Sequence, residues 1–291
     1  MSNSLSVFKN QESAAKYMAA YEDVLSHWPV PYSAVDIPTC LGQTHINVSG
    51  ASTAPPLILL PGNFSGSITW FYNVASLSQA CRVYAVDTPG DVGKSVPTRL
   101  PTDRFDYANW LNDLLAGLKI EQADLLGMSY GGFLAVNLAL HFPERVHRLV
   151  LLCPGLPLAP FTLHWMVRGM PMLFSAARWA GEWFLEGASA KGYNREDRVQ
   201  EAFVIGVMGL RSKGVLRPVI HAAEWQQFQS PTLMLVGERE ILYHPRAALQ
   251  RARQLMPHLE TRLVPQAGHL LNCDQPERVG EAVLGFLGAK K

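Results

Sequence analysis

The sequence predicts an α/β fold, a mostly parallel central sheet flanked by helices. Three observations predict it. Short runs that are apolar on both faces recur along the chain, as buried parallel strands require. Helical patterns separate these runs. An alternating pair of segments precedes them and reads as an antiparallel hairpin.

The elements follow in order. Residues 10–27 form an amphipathic helix, with Ala14, Met18, Tyr21 and Leu25 near one face, and Trp28-Pro29 ends it. Residues 33–38 and 44–49 alternate around Gly42 as the hairpin. The parallel strands are 56–60 (PLILL), 82–86 (RVYAV), 123–126 (ADLL), 149–153 (LVLLC), 232–236 (TLMLV) and 261–264 (TRLV). Helices are expected over 105–118, 131–141, 245–255 and 276–287. From about Gly155 to Gln229 no strand stands out, and the segment is too long for a loop. It is expected to be a helical cap, residues 156–229, inserted into a core of residues 1–155 and 230–291.

Composition narrows the function. The 291 residues are 48% apolar and 17% charged, with a formal net charge of +1. Such a chain buries a sizeable core, and its balanced charge gives no footprint for nucleic acid or an anionic membrane. No signal-peptide pattern opens the chain. Residues 149–167 carry no formal charge, but Pro154, Pro157 and Pro160 interrupt them as a membrane span. Cys40, Cys81, Cys153 and Cys273 lack zinc-site spacing, and Cys153 reads as a buried thiol. A cytoplasmic protein with a small-molecule partner, monomeric or homodimeric, is expected.

The chemistry centres on Gly127-Met128-Ser129-Tyr130-Gly131, between a strand and a helix. Small residues two before and two after a serine permit a sharp turn that leaves its Oγ exposed. The helix that follows points its N-terminus at a developing anion. A serine needs a base, and His269 in VPQAGHLL lies just after the last strand, where open α/β sheets bind ligands. The base needs an orienting carboxylate. Gly237-Glu238-Arg239-Glu240 follows the fifth parallel strand, and Glu240 lies far enough along the loop to turn back towards His269. The oxyanion hole is expected from the Tyr130 N–H and the loop Pro61-Gly62-Asn63-Phe64, with Asn63 N–H preferred and Phe64 N–H the alternative. Phe64, with Trp165 and Trp183 of the insert, is a candidate substrate contact.

On LLPGNFSGSITW, VDTPGDVGKS, LLGMSYGG, PTLMLVGERE and AGHLLNCDQPE the chain resembles the α/β-hydrolase fold superfamily, over nearly its whole length from about Pro56. Within it, the chain is similar to cofactor-independent carboxylesterase-like members with a helical cap. The resemblance implies a Ser129–His269–Glu240 triad, a site between core and cap, hydrolysis of carboxylic esters through an acyl-enzyme, and neither cofactor nor metal. An acyltransferase, a C–C hydrolase or a perhydrolase would use the same triad, and a small-ligand receptor could retain the fold. Three departures mark this chain. Pro61-Gly62 replaces the usual His-Gly. Gly90-Asp91-Val92-Gly93-Lys94-Ser95 carries one residue more than the usual Gly-x-Gly-x-Ser. The acid is Glu rather than the commoner Asp.

Overall fold

The computed structural model describes residues 5–175, 177–211 and 220–288. Helix α1 (Gln11–Ser26) starts where the Asn10 side chain accepts the Ser13 N–H at 2.8 Å, and it stops before Trp28-Pro29. Strands β1 (Tyr32–Thr39) and β2 (Gly42–Ser49) form the expected antiparallel pair. The sheet continues with β3 (Pro56–Leu60), β4 (Arg82–Val86), β5 (Val96–Pro97), β6 (Ala123–Met128), β7 (Val146–Leu152), β8 (Thr232–Gly237) and β9 (Leu259–Val264). Its order is β1-β2-β4-β3-β6-β7-β8-β9, with the short β5 paired to β2. From β4 onwards every pair along that path is parallel.

Each parallel run read from the sequence is a strand. The edges differ by up to three residues. β7 starts at Val146 and stops at Leu152; Cys153, with φ 40, ends the regular strand while its N–H still donates to Leu235 O of β8 at 2.9 Å. Burial explains the apolar runs: all residues of β6 and β8 are buried.

Helices α2 (Val74–Leu77), α3 (Arg104–Gly117), α4 (Tyr130–His141), α9 (Pro245–Leu255), α10 (Leu271–Asp274) and α11 (Pro276–Phe286) connect the strands. Asp103 caps α3 by accepting the Asp106 N–H at 2.9 Å. Helix α4 is buried from Tyr130 to Ala139, which is why its sequence is apolar all round. Between β7 and β8 come α5 (Leu163–Phe174), α6 (Arg178–Ala188), α7 (Arg198–Gly209) and the short α8 (Ala222–Gln226). Among the described residues no helix is long and apolar enough to cross a membrane. The short elements β5, α2 and α10 carried no periodicity long enough to read.

Candidate active site

The carboxyl ends of the parallel strands converge on one edge of the sheet, and four loops there carry the candidate residues. Ser129 follows β6 and caps α4 with φ 49 and ψ −113. Backbone bonds on three sides hold that unusual turn. Ser129 N–H donates to Leu152 O at 2.9 Å, and Ser129 O accepts the N–H of Gly132 at 3.0 Å and of Gly155 at 2.7 Å. The flanking glycines are steric requirements. A Cβ on Gly127 would lie 2.3 Å from Gly131 O, and one on Gly131 would lie 2.0 Å from Leu60 O. This close packing is what the small-x-Ser-x-small spacing anticipates.

His269 Nε2 lies 3.0 Å from Ser129 Oγ, and His269 Nδ1 lies 2.7 Å from Glu240 Oε2. The other carboxylate oxygen of Glu240 accepts the Leu242 N–H at 2.6 Å. His269 and Glu240 are both buried. Burial by itself would raise the Glu240 pKa. The charge and hydrogen bond of His269, the Cys153 thiol and the Leu242 N–H outweigh it and hold the carboxyl below its usual value. The loop of His269 is itself anchored: buried Asp274 accepts the Gly268 N–H at 2.7 Å and the Ser189 hydroxyl at 2.6 Å. The structure thus brings Ser129, His269 and Glu240 into one hydrogen-bonded line. Glu238 remains exposed.

Cys153 is buried beside this line, and burial pushes its thiol pKa up. Its sulfur accepts the Gly237 N–H at 3.4 Å. Among the described residues, Cys153, Glu240 and His269 form the one His/Cys/carboxylate group close enough to share a cation, with ligand atoms within 4.8 Å. Both ring nitrogens of His269 are already engaged with Ser129 and Glu240.

The loop after β3 approaches the serine closely: a Cβ on Gly62 would lie 3.4 Å from Ser129 Cβ. Asn63 N–H has no hydrogen-bond partner among the described residues. Phe64 N–H, the alternative donor, is committed elsewhere and donates to Asp91 Oδ2 at 2.8 Å. The sequence pointed at the irregular stretch that holds Asp91 but gave it no partner.

A cavity of about 360 Å³ opens over Ser129 and His269. Phe64, Tyr130 and Phe133 line it from the core, and Trp165, Phe184 and Phe203 from α5, α6 and α7. Trp183 is a correction. It does not line the cavity; it is 42% exposed, with the Arg168 guanidinium 3.9 Å from its ring centre. On α6 its neighbour Phe184 points inward instead, a difference of one position that no local signal reveals. Phe184 and Phe203 were not singled out as contacts, because any apolar residue of the insert could equally have packed a core.

A mostly parallel sheet carrying a serine elbow at its carboxyl edge defines the class, and the chain belongs to the alpha/beta hydrolase family, whose family model matches residues 57–282. Among its relatives, it is 37% identical over 287 residues to carboxylesterase YbfK of Bacillus subtilis strain 168, covering 96% of each chain. It is 35% identical over 298 residues to the uncharacterized carboxylesterase nap of the same strain, covering 100% of this chain and 98% of that one. The crystal structure of naproxen esterase from Bacillus subtilis matches with a TM-score of 0.88 at 34% identity, over 96% of this chain and 99% of the other.

Proposed function

We propose that the chain is a serine carboxylesterase in which Ser129 is the nucleophile, His269 the general base and Glu240 the orienting acid. The observation that carries this reading is the unbroken hydrogen-bonded line from Glu240 through His269 to Ser129, ending at an apolar cavity. Full-length relatives named as carboxylesterases support it.

In the first half-reaction His269 Nε2 takes the Ser129 proton as Oγ attacks the ester carbonyl. The N–H groups of Tyr130 and Asn63 hold the oxyanion, at the N-terminus of α4. The alcohol leaves with the proton from His269, and water then releases the acid by the same route. Glu240 fixes the imidazole with Nδ1 protonated, so that Nε2 can accept.

Residues 156–229 act in this reading as a cap, with α5–α7 supplying the aromatic side of the cavity. Apart from His269, the lining carries no ionisable side chain other than the Tyr130 phenol. Neutral esters with an apolar acyl or alcohol group suit it. A cytoplasmic location suits its four free cysteines.

Steady-state hydrolysis of p-nitrophenyl esters from acetate to dodecanoate, with Ser129→Ala in parallel, tests the proposal. Turnover that vanishes in the variant supports it, and the chain-length optimum sizes the cavity. No turnover on any ester by the folded parent, or equal turnover by the variant, overturns it.

A further inference from the structure

Two of the three departures seen in the sequence meet at one contact. The loop after β3 lacks the histidine that usually orders it and has Pro61 instead. The loop after β4 carries one residue too many, and Asp91 lies in that irregular stretch. Asp91 Oδ2 accepts the Phe64 N–H at 2.8 Å, and its Oδ1 accepts the N–H of its neighbour Val92 at 2.7 Å. Phe64 has φ 64, a conformation that a phenylalanine does not adopt unaided. Asp91 holds it at the main chain, and an edge-to-face contact with Phe203, centroids 6.4 Å apart, holds it at the ring.

Resting on the esterase reading, we propose that Asp91 is the positioning residue of the oxyanion loop: its carboxylate captures the Phe64 N–H and leaves Asn63 N–H as the donor beside Ser129. The longer loop after β4 thereby replaces the ordering role of the missing histidine. A charge-assisted bond to a carboxylate is the stronger kind of anchor for a strained backbone.

The charged state of this anchor depends on pH. Asp87 from the end of β4, Tyr17 from α1 and Tyr107 from α3 face Asp91. Lys94, further along the loop, is turned to Glu22 at 2.6 Å. Burial pushes the Asp91 carboxyl up to about 7, the two N–H bonds oppose the rise, and Asp87 adds to it. The folded pKa lies above that of the unfolded chain, so the charged carboxylate costs stability in full above pH 7. That cost fades as pH falls towards 4. The ionised carboxylate is thus held at a cost in stability near neutral pH, offset by its two backbone hydrogen bonds.

The test compares the parent with Asp91→Asn on a p-nitrophenyl ester that the parent turns over, from pH 5 to 9. An asparagine keeps the shape but must turn its NH2 towards one of the two N–H donors. The expected result is a kcat lower by about tenfold to a hundredfold at pH 8, with KM changed less than about threefold, as for a slightly misplaced catalytic group. The acid limb of the parent profile is expected to be steeper than that of the variant, which has lost one ionisation. The melting temperature of the parent is expected to rise relative to the variant as pH falls from 8 to 5. A variant kcat within about twofold of the parent, or superimposable acid limbs, overturns the proposal while leaving the esterase reading intact. If the parent cleaves no ester, the esterase reading is what fails. Amide exchange of the 62–66 peptide, corrected for intrinsic rate, still reads the anchor. Protection at pH 8 that is lost at pH 5 supports it, and protection unchanged between the two overturns it. This measurement needs the parent alone and so survives a variant that does not fold.

Discussion

The two sides of the cavity are built differently. On the core side the candidate residues are held by hydrogen bonds to the main chain: Ser129 by Leu152, Gly132 and Gly155, the Glu240 carboxylate by the Leu242 N–H, and the His269 loop by Asp274 at Gly268. On the other side the helices α5–α7 meet the core through rings. Trp165 lies edge-on to Phe184 at 5.8 Å, Phe184 stacks on Phe203 at 5.7 Å, and Phe203 reaches Phe64 at 6.4 Å. Backbone bonds have direction and impose one geometry, whereas ring contacts are broad and tolerate repacking. In the esterase reading proposed above, the core side would set the chemistry and the helical side what fits.

Changes on the core side should be the most damaging. Ser129→Ala should lower kcat by about 10⁴-fold or more, with KM little moved, because it removes the nucleophile and leaves binding. The residual rate of the purified variant checks this; a loss below tenfold would break the distinction between the two sides. Glu240→Gln should follow, at about 10³- to 10⁴-fold in kcat. A glutamine NH2 aimed at His269 Nδ1 would force the proton onto Nε2, where it can no longer accept from Ser129. Aimed the other way, it would meet the Leu242 N–H. A kcat for this variant equal to the parent's would contradict the role given to Glu240.

On the helical side Trp165→Ala should act on KM first. Losing a buried indole from the lining should raise KM for short esters by about tenfold and move the chain-length optimum upward. A destabilisation of about 3 kcal/mol is expected, read by urea titration. An unchanged chain-length profile would detach α5 from specificity. Trp183→Ala, five positions beyond Arg178 on the next helix, should leave kcat and KM within about twofold. It should cost only about 0.5–1 kcal/mol for its contact with Arg168. The pair asks whether orientation on the cap, rather than aromatic content, decides function.

The same contrast explains what could be read from the chain. The core side was legible because its rules are local. A Cβ at Gly127 or Gly131 would collide with backbone, so the glycines had to flank Ser129 in sequence. The central parallel strands were legible because burial on both faces, complete in β6 and β8, leaves a mostly apolar run, whereas the edge strand β9 alternates between half-buried and exposed positions. Glu240 and His269 were found from their place just after strands, although 29 positions separate them. The helical side was not legible, because Trp183 and Phe184 are adjacent and equally apolar, and only packing decides which one turns inward. Asp91 lay between these cases. The extra residue was visible as an irregularity, but its partner, Phe64, is 27 positions away in another loop.

Among the described residues, five that are not glycine have positive φ, and Phe64, Ser129 and Cys153 are three of them. Each such backbone costs on the order of 1–3 kcal/mol, and all three border the reacting atoms. Under selection, this makes the site a place where robustness and activity diverge. A lineage screened only for survival of heating would find its easiest gains by relaxing Phe64, Ser129 and Cys153. It would become a tougher protein as it stopped being an enzyme.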